Sequence, residues 1–350
     1  MNRWIKLAIP FLLVAVLLSG CQKATPAPTE EPTAAPAPKI RVALVPAGRI
    51  GTEGFMFLAG EGYKKACADF GLEQKVLESE VPEEWERNVR TAAQEGYDLV
   101  IGVGSTMQDA VAHVAPEFPD THFALVDAYT GGDNVVGLIS QEQEGTFLAG
   151  ALAAMMTTYT DLEGINEDKV IGFVGGMDIP VIHRFLGGLE QGAAYIDPDV
   201  KIEVAYVGSF RDPAKSKELA LGIALGMFQN QNVDIVYSVC GAFGDHGVFE
   251  AVQETGLYAI GTDINWDNEV PGHILTSVLK HTDLAVYDVI KREVSGEFTP
   301  GEIKYGLASG VMDITDMSVM GDKIPDNVRQ KLAEIKQDII DGKIKVERRD

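Results

Sequence analysis

The sequence predicts an α/β protein of two doubly wound parallel-sheet lobes. Apolar strand-like runs are continuous rather than alternating, as in "YDLVIGVG" and "VDIVYSVCG". Each is followed by a stretch with helical spacing, and the series begins afresh near residue 168. Continuous Val/Ile/Leu runs between helices mark parallel strands covered on both faces. A chain of 350 residues is long enough for two such units.

The first series opens with "IRVALVPA", a strand stopped by proline and glycine. In "FMFLAGEGYKKACADFG", Phe55, Leu58, Ala59, Gly62, Ala66 and Phe70 recur at helical spacing. "PEEWERNVRTAAQEG" has a proline start, an acidic first turn and a glycine stop, as helix ends prefer. "QKVLES", "YDLVIGVG", "HFALVDA" and "NVVGLIS" read as strands, and "GTFLAGALAAMMTTY" as a buried helix.

The second series runs strand "KVIGFVGG", helix "HRFLGGLEQGAAYI", strand "KIEVAYVGS", then helix "DPAKSKELALGIALGMFQNQ". "VDIVYSVCG", "GDHGVFEAVQETG" and "YAIGTDIN" continue the alternation, and "DNVRQKLAEIKQDIIDG" ends it as an amphipathic helix. The expected division is 40–140 with 264–300 for the first lobe, and 141–263 with 301–350 for the second.

Residues 1–20 read as a signal peptide, with a basic head and an apolar run too short for a comfortable membrane span. The run ends in Leu18-Ser19-Gly20-Cys21, which resembles the bacterial lipobox and makes Cys21 a lipidation site. Residues 21–39 follow as a tether whose alternating Pro and Ala favour an extended chain, about 3.1 Å per residue. These features place the protein on the outer face of the cell membrane, held by a lipid anchor.

The formal charge of −23 becomes −25 without Arg3 and Lys6. Such an acidic body repels nucleic acid and anionic lipid. No HExxH, CxxC cluster or EF-hand loop occurs, so neither a metal nor a cofactor is expected. "GVGSTM" has Met107 where a dinucleotide loop needs its third glycine, and Ser105 lacks the frame of a nucleophile elbow. Cys67 and Cys240 fall in buried-looking stretches and read as free thiols.

Ligands of open parallel sheets lie outside the carboxyl ends of the strands. Phe55 and Phe185 occupy matching positions after the first strand of each series. Either they are core, or they sandwich a ring-shaped ligand. Asp127 and Asp263 end strands, as turn caps or as acceptors for ligand hydroxyl and N–H groups. Lys280 is either solvated or paired with Asp263. His183, five residues after Asp178, has the spacing of a general base but no nearby nucleophile, which favours a helix-start residue.

"EGTFLAGALAAMMT", "GFVGGMDIPVIHRFLGGLEQGA", "YVGSFRDPAKSKELA", "YAIGTDINW" and "ILTSVLKHTDLAVYDVI" resemble the basic membrane protein family, the PnrA-like substrate-binding lipoproteins of ABC transporters. The resemblance spans residues 40 to 346. It implies a type I periplasmic-binding-protein fold with a ligand cleft at the hinge, and a binding protein rather than an enzyme. Its implied partners are a nucleoside-like small molecule and a membrane permease, with the protein acting as a monomer. Phe185 matches the family aromatic that stacks on the base, Asp263 the acid that grips the ribose, and Lys280 the lysine beside it. Asp127 matches an acid beside the base, Ala242 and Gly244 a close-approach loop, and Phe55 the first-lobe aromatic.

The first-lobe stretch departs from the family pattern. "VPAGRIGTEGFMF" has Thr52 or Glu53 near the expected acid, Gly54 for a serine and Met56 for an asparagine. Losing that asparagine removes a donor and acceptor for a purine edge. The expected ligand is a purine nucleoside or related heterocycle. A flavin or other vitamin, and a surface receptor or antigen outside transport, are the alternatives.

Overall fold

A computed structural model describes residues 40–208 and 212–350. Cys21, the signal peptide, the tether and the centre of the "YVGSFRDP" motif lie outside the described residues.

The first sheet contains β1 (Val42–Pro46), β2 (Gln74–Val76), β3 (Leu99–Val103), β4 (His122–Val126), β5 (Val135–Ser140) and β11 (Gly301–Tyr305). Its order is β2-β1-β3-β4-β5-β11, all parallel. The second contains β6 (Val170–Gly175), β7 (Lys201–Tyr206), β8 (Ile235–Val239), β9 (Tyr258–Asp263), β10 (Ile274–Lys280) and β12 (Met312–Ile314). Its order, β7-β6-β8-β9-β10-β12, repeats the first position for position, except that β12 runs antiparallel. The central strands are buried along their whole length. This explains their unbroken apolar sequence.

The helices α1 (Gly54–Phe70), α2 (Trp85–Gln94), α3 (Gln108–Val114) and α8 (Thr282–Val294) cover the first sheet. The second is covered by α4 (Glu142–Met156), α5 (Pro180–Ile196), α6 (Pro213–Asn230), α7 (Gly241–Thr255) and α9 (Asp326–Ile340). Glycine sets the closest helix approaches. A Cβ on Gly62 of α1 would lie 2.2 Å from the Asp283 carbonyl oxygen of α8, and one on Gly188 of α5 would lie 2.5 Å from the Gln143 carbonyl oxygen of α4.

The chain passes between lobes three times: from β5 into α4, from β10 into α8, and from β11 into β12. This corrects the expected lobe boundaries. β10, within 264–300, joins the second sheet by pairing with β9, and β11, within 301–350, joins the first by pairing with β5. β10 is a short apolar run and β11 an alternating one, and strand character alone does not specify a neighbour.

Candidate functional site

The strand ends of the two sheets converge on a buried charged group. Asp127 follows β4 and Asp263 ends β9, so they hold equivalent places in the two sheets. Both have φ of 70°, a left-handed conformation that aspartate tolerates better than most residues.

Lys280, the last residue of β10, is 2% exposed. Its Nζ donates to Asp127 Oδ2 at 2.7 Å and to Glu142 Oε1 at 2.8 Å. It therefore joins the first lobe to the start of α4. The expected pairing of Lys280 with Asp263 is replaced by these two bonds, and Asp263 acts on the lysine only at longer range. Burial opposes the ammonium charge, but Asp127 and Glu142 outweigh it and hold Lys280 above its ordinary range.

The same ammonium lies 5.0 Å from the centre of the Phe55 ring and 5.4 Å from that of Phe185. The two aromatics thus flank one ammonium, beside its carboxylates. Phe55 is half-buried, whereas Phe185 also belongs to the second-lobe core.

Arg184 and Glu142 complete the group, and sequence reasoning missed both as site residues. Arg184 Nη1 donates to the Asp127 carbonyl oxygen at 3.4 Å and stands 3.7 Å from Glu142 Oε2; its Nε meets Asp350 at 2.6 Å. Burial raises the Glu142 carboxyl above its usual range, with Lys280 opposing. Burial likewise pushes Asp263 to about 6, against the pull of Lys280. Among the described residues, Asp127 Oδ1 is buried without a hydrogen-bond partner. A ligand donor would satisfy it.

Beneath this floor, Asp245 accepts from Ser238 Oγ at 2.5 Å and from the Cys240 amide at 3.2 Å. Burial raises it to about 7. The remaining candidates divide. Ala242 faces Gly54 across the lobes, where an added Cβ would sit 3.4 Å from Ala242 Cβ. Gly244 packs instead on Cys240, 2.8 Å from its Cβ by the same measure. Thr52 is exposed in the turn before α1, outside the buried group. His183 pairs with Asp178 at 2.6 Å on the first turn of α5. Met56 rests its methyl against Gly104. Cys67 and Cys240 are buried free thiols.

Residues 39–350 match the family model described as ABC transporter substrate-binding protein PnrA-like. The chain belongs to this family. PnrA-like proteins are substrate-binding components of ABC transport systems, so this one serves a small molecule and a membrane permease. The PnrA-like chain is 31% identical over 288 residues to the CD4+ T-cell-stimulating antigen of Listeria monocytogenes, covering 77% of this chain and 76% of that one. It is 30% identical to the ABC transporter nucleoside-binding protein BmpA of Lactococcus lactis, covering 77% of each. A solute-binding protein of an ABC transporter system from Aeropyrum pernix superposes with a TM-score of 0.79 at 30% identity, over 87% of this chain and 92% of that one. A sugar transporter structure from Clostridium phytofermentans, at 11% identity and a TM-score of 0.60, shares the type I periplasmic-binding fold alone. Relatives from Pyrococcus abyssi and Pyrococcus furiosus are named lipoproteins.

Proposed function

We propose that this protein is the lipid-anchored, monomeric receptor of an importer and binds a purine nucleoside or related heterocycle between its lobes. The observation that carries this reading is the position of Lys280, whose ammonium faces two aromatic rings while bonded to carboxylates beside them. Rings suit a planar base, and stacking contributes about 1–3 kcal/mol per base. Asp263 and Asp127 Oδ1 suit the hydroxyl and N–H donors of a nucleoside. Acidic groups crowd the site, which disfavours a phosphorylated ligand. The Lactococcus lactis relative, named for nucleoside binding, agrees with this choice.

Native mass spectrometry of the purified protein, followed by calorimetric titration with nucleosides, free bases and riboflavin, tests it. Tight nucleoside binding is expected. A retained or titrating ring compound of another class, with no heat from any nucleoside, overturns it. Met56 is the observation that favours the flavin or vitamin alternative, because a thioether stands where the family asparagine would meet a purine edge. Anchoring is tested separately. Cys21→Ala should release the protein from membranes or block processing, and an unchanged membrane fraction and mature mass would reject the anchor.

A further inference from the structure

A second contact between the lobes joins the start of α1 to α7. Glu53 immediately precedes α1 in the first lobe, and His246 lies on α7 in the second. His246 Nε2 is 2.9 Å from Glu53 Oε1, and its Nδ1 is 3.0 Å from Glu269 Oε1. An ionised carboxylate only accepts hydrogen bonds, so both contacts form together only when both ring nitrogens carry protons. The ring is held edge-on to Trp266, with centres 5.2 Å apart. Other charges nearby are already engaged. Lys217 and Glu250 pair with each other at 2.8 Å, Asp245 turns inward to Ser238, and Asp267 accepts from Ser277. One imidazole therefore stands between two carboxylates, one from each lobe.

We propose that Glu53, His246 and Glu269 form a clasp that holds the lobes closed and slows ligand release. This rests on the reading that a ligand is enclosed between the lobes. Glu269 and His246 belong to the same lobe and stay together when the cleft opens; only Glu53 departs. Opening thus breaks the contact between His246 and Glu53 and keeps the one to Glu269.

Two measurements on the full chain test this. The first follows inosine release by stopped flow in wild type, Glu53→Gln, His246→Gln and the double variant. Exposed ion pairs are worth about 0.2–1 kcal/mol, so each single variant should release about 1.4- to fivefold faster, and the double variant no faster than either. Unchanged release in the single variants, or effects that multiply in the double variant, overturns the proposal. The second measures the distance between spin labels, one on each lobe, without ligand. Glu53→Gln should raise the open population, and an unchanged distance distribution overturns the clasp whether or not a ligand is known. A failure of inosine to bind counts against the nucleoside reading, and the distance measurement then decides the clasp alone.

Discussion

The two lobes share one strand order but present their cleft aromatics differently. In the first lobe, the turn between β1 and α1 holds exposed Gly51 and Thr52, and Phe55 at its end is only half-buried. In the second, Pro180 opens α5 and Phe185 is 3% exposed, packed into the lobe core. A matched pair in topology is therefore unmatched in energetics. One aromatic rests on the edge of its lobe's core, and the other lies inside its lobe's core.

The charged floor should give the largest effect, because it belongs to both lobes. Lys280→Met leaves Asp127 and Glu142 buried without their cation. Breaking such a pair should cost about 3–5 kcal/mol, read by urea denaturation, and should abolish ligand binding. Equal stability in the variant would mean that the carboxylates are neutralised by other groups.

The aromatics test the comparison directly. Phe185→Ala should lose about 3–5 kcal/mol of stability from the cavity it leaves, besides weakening binding. Phe55→Ala, which only edges its core, should cost less stability than Phe185→Ala and should lower affinity by about 1–3 kcal/mol if the ring stacks on a base. Similar stability losses in both would erase the distinction between the lobes.

Asp263→Asn separates binding from stability. The folded carboxyl, near 6, lies above its unfolded value, so the folded state binds the proton more tightly. Stability then declines as pH rises from about 4 to about 6, by about 2–3 kcal/mol, and is level above that. The variant should melt higher than wild type at neutral pH, and the two should converge near pH 4 in calorimetry. It should also bind a nucleoside less well, by about 1.5–3 kcal/mol, with a smaller loss for the free base.

Met56→Asn is the smallest and sharpest probe. A regained hydrogen bond to a purine edge should improve inosine affinity by about 1 kcal/mol. No gain, alongside firm binding of another ring compound, would favour the changed-ligand reading.

Of the residues named from sequence, Asp127, Asp263 and Lys280 lie at strand ends and Phe55 and Phe185 in the helices that follow strands, and they gather around the Lys280 ammonium. Glu142 was hidden because it opens a helix that reads as core, "EQEGTFLAGALAAMM". A carboxylate in a first helical turn is ordinary, so nothing local marked it as buried against a cation. Arg184 stood unremarked in a helix-like stretch, and its partners come from distant segments. Lobe membership of β10 and β11 was misread for the same reason. Alternation reveals that a strand exists, whereas its neighbour is chosen by long-range pairing.

That pairing has a consequence for biosynthesis. The edge of the first sheet is closed by β11, which is made long after β5, with the whole central part of the second lobe between them. Helix α8, which packs on α1, also arrives late. During synthesis the amino-terminal half must wait with an unpaired strand edge and an uncovered apolar face, the conditions under which nascent chains aggregate. Neither lobe can be excised as one contiguous piece, and a truncation before Tyr305 should leave both incomplete.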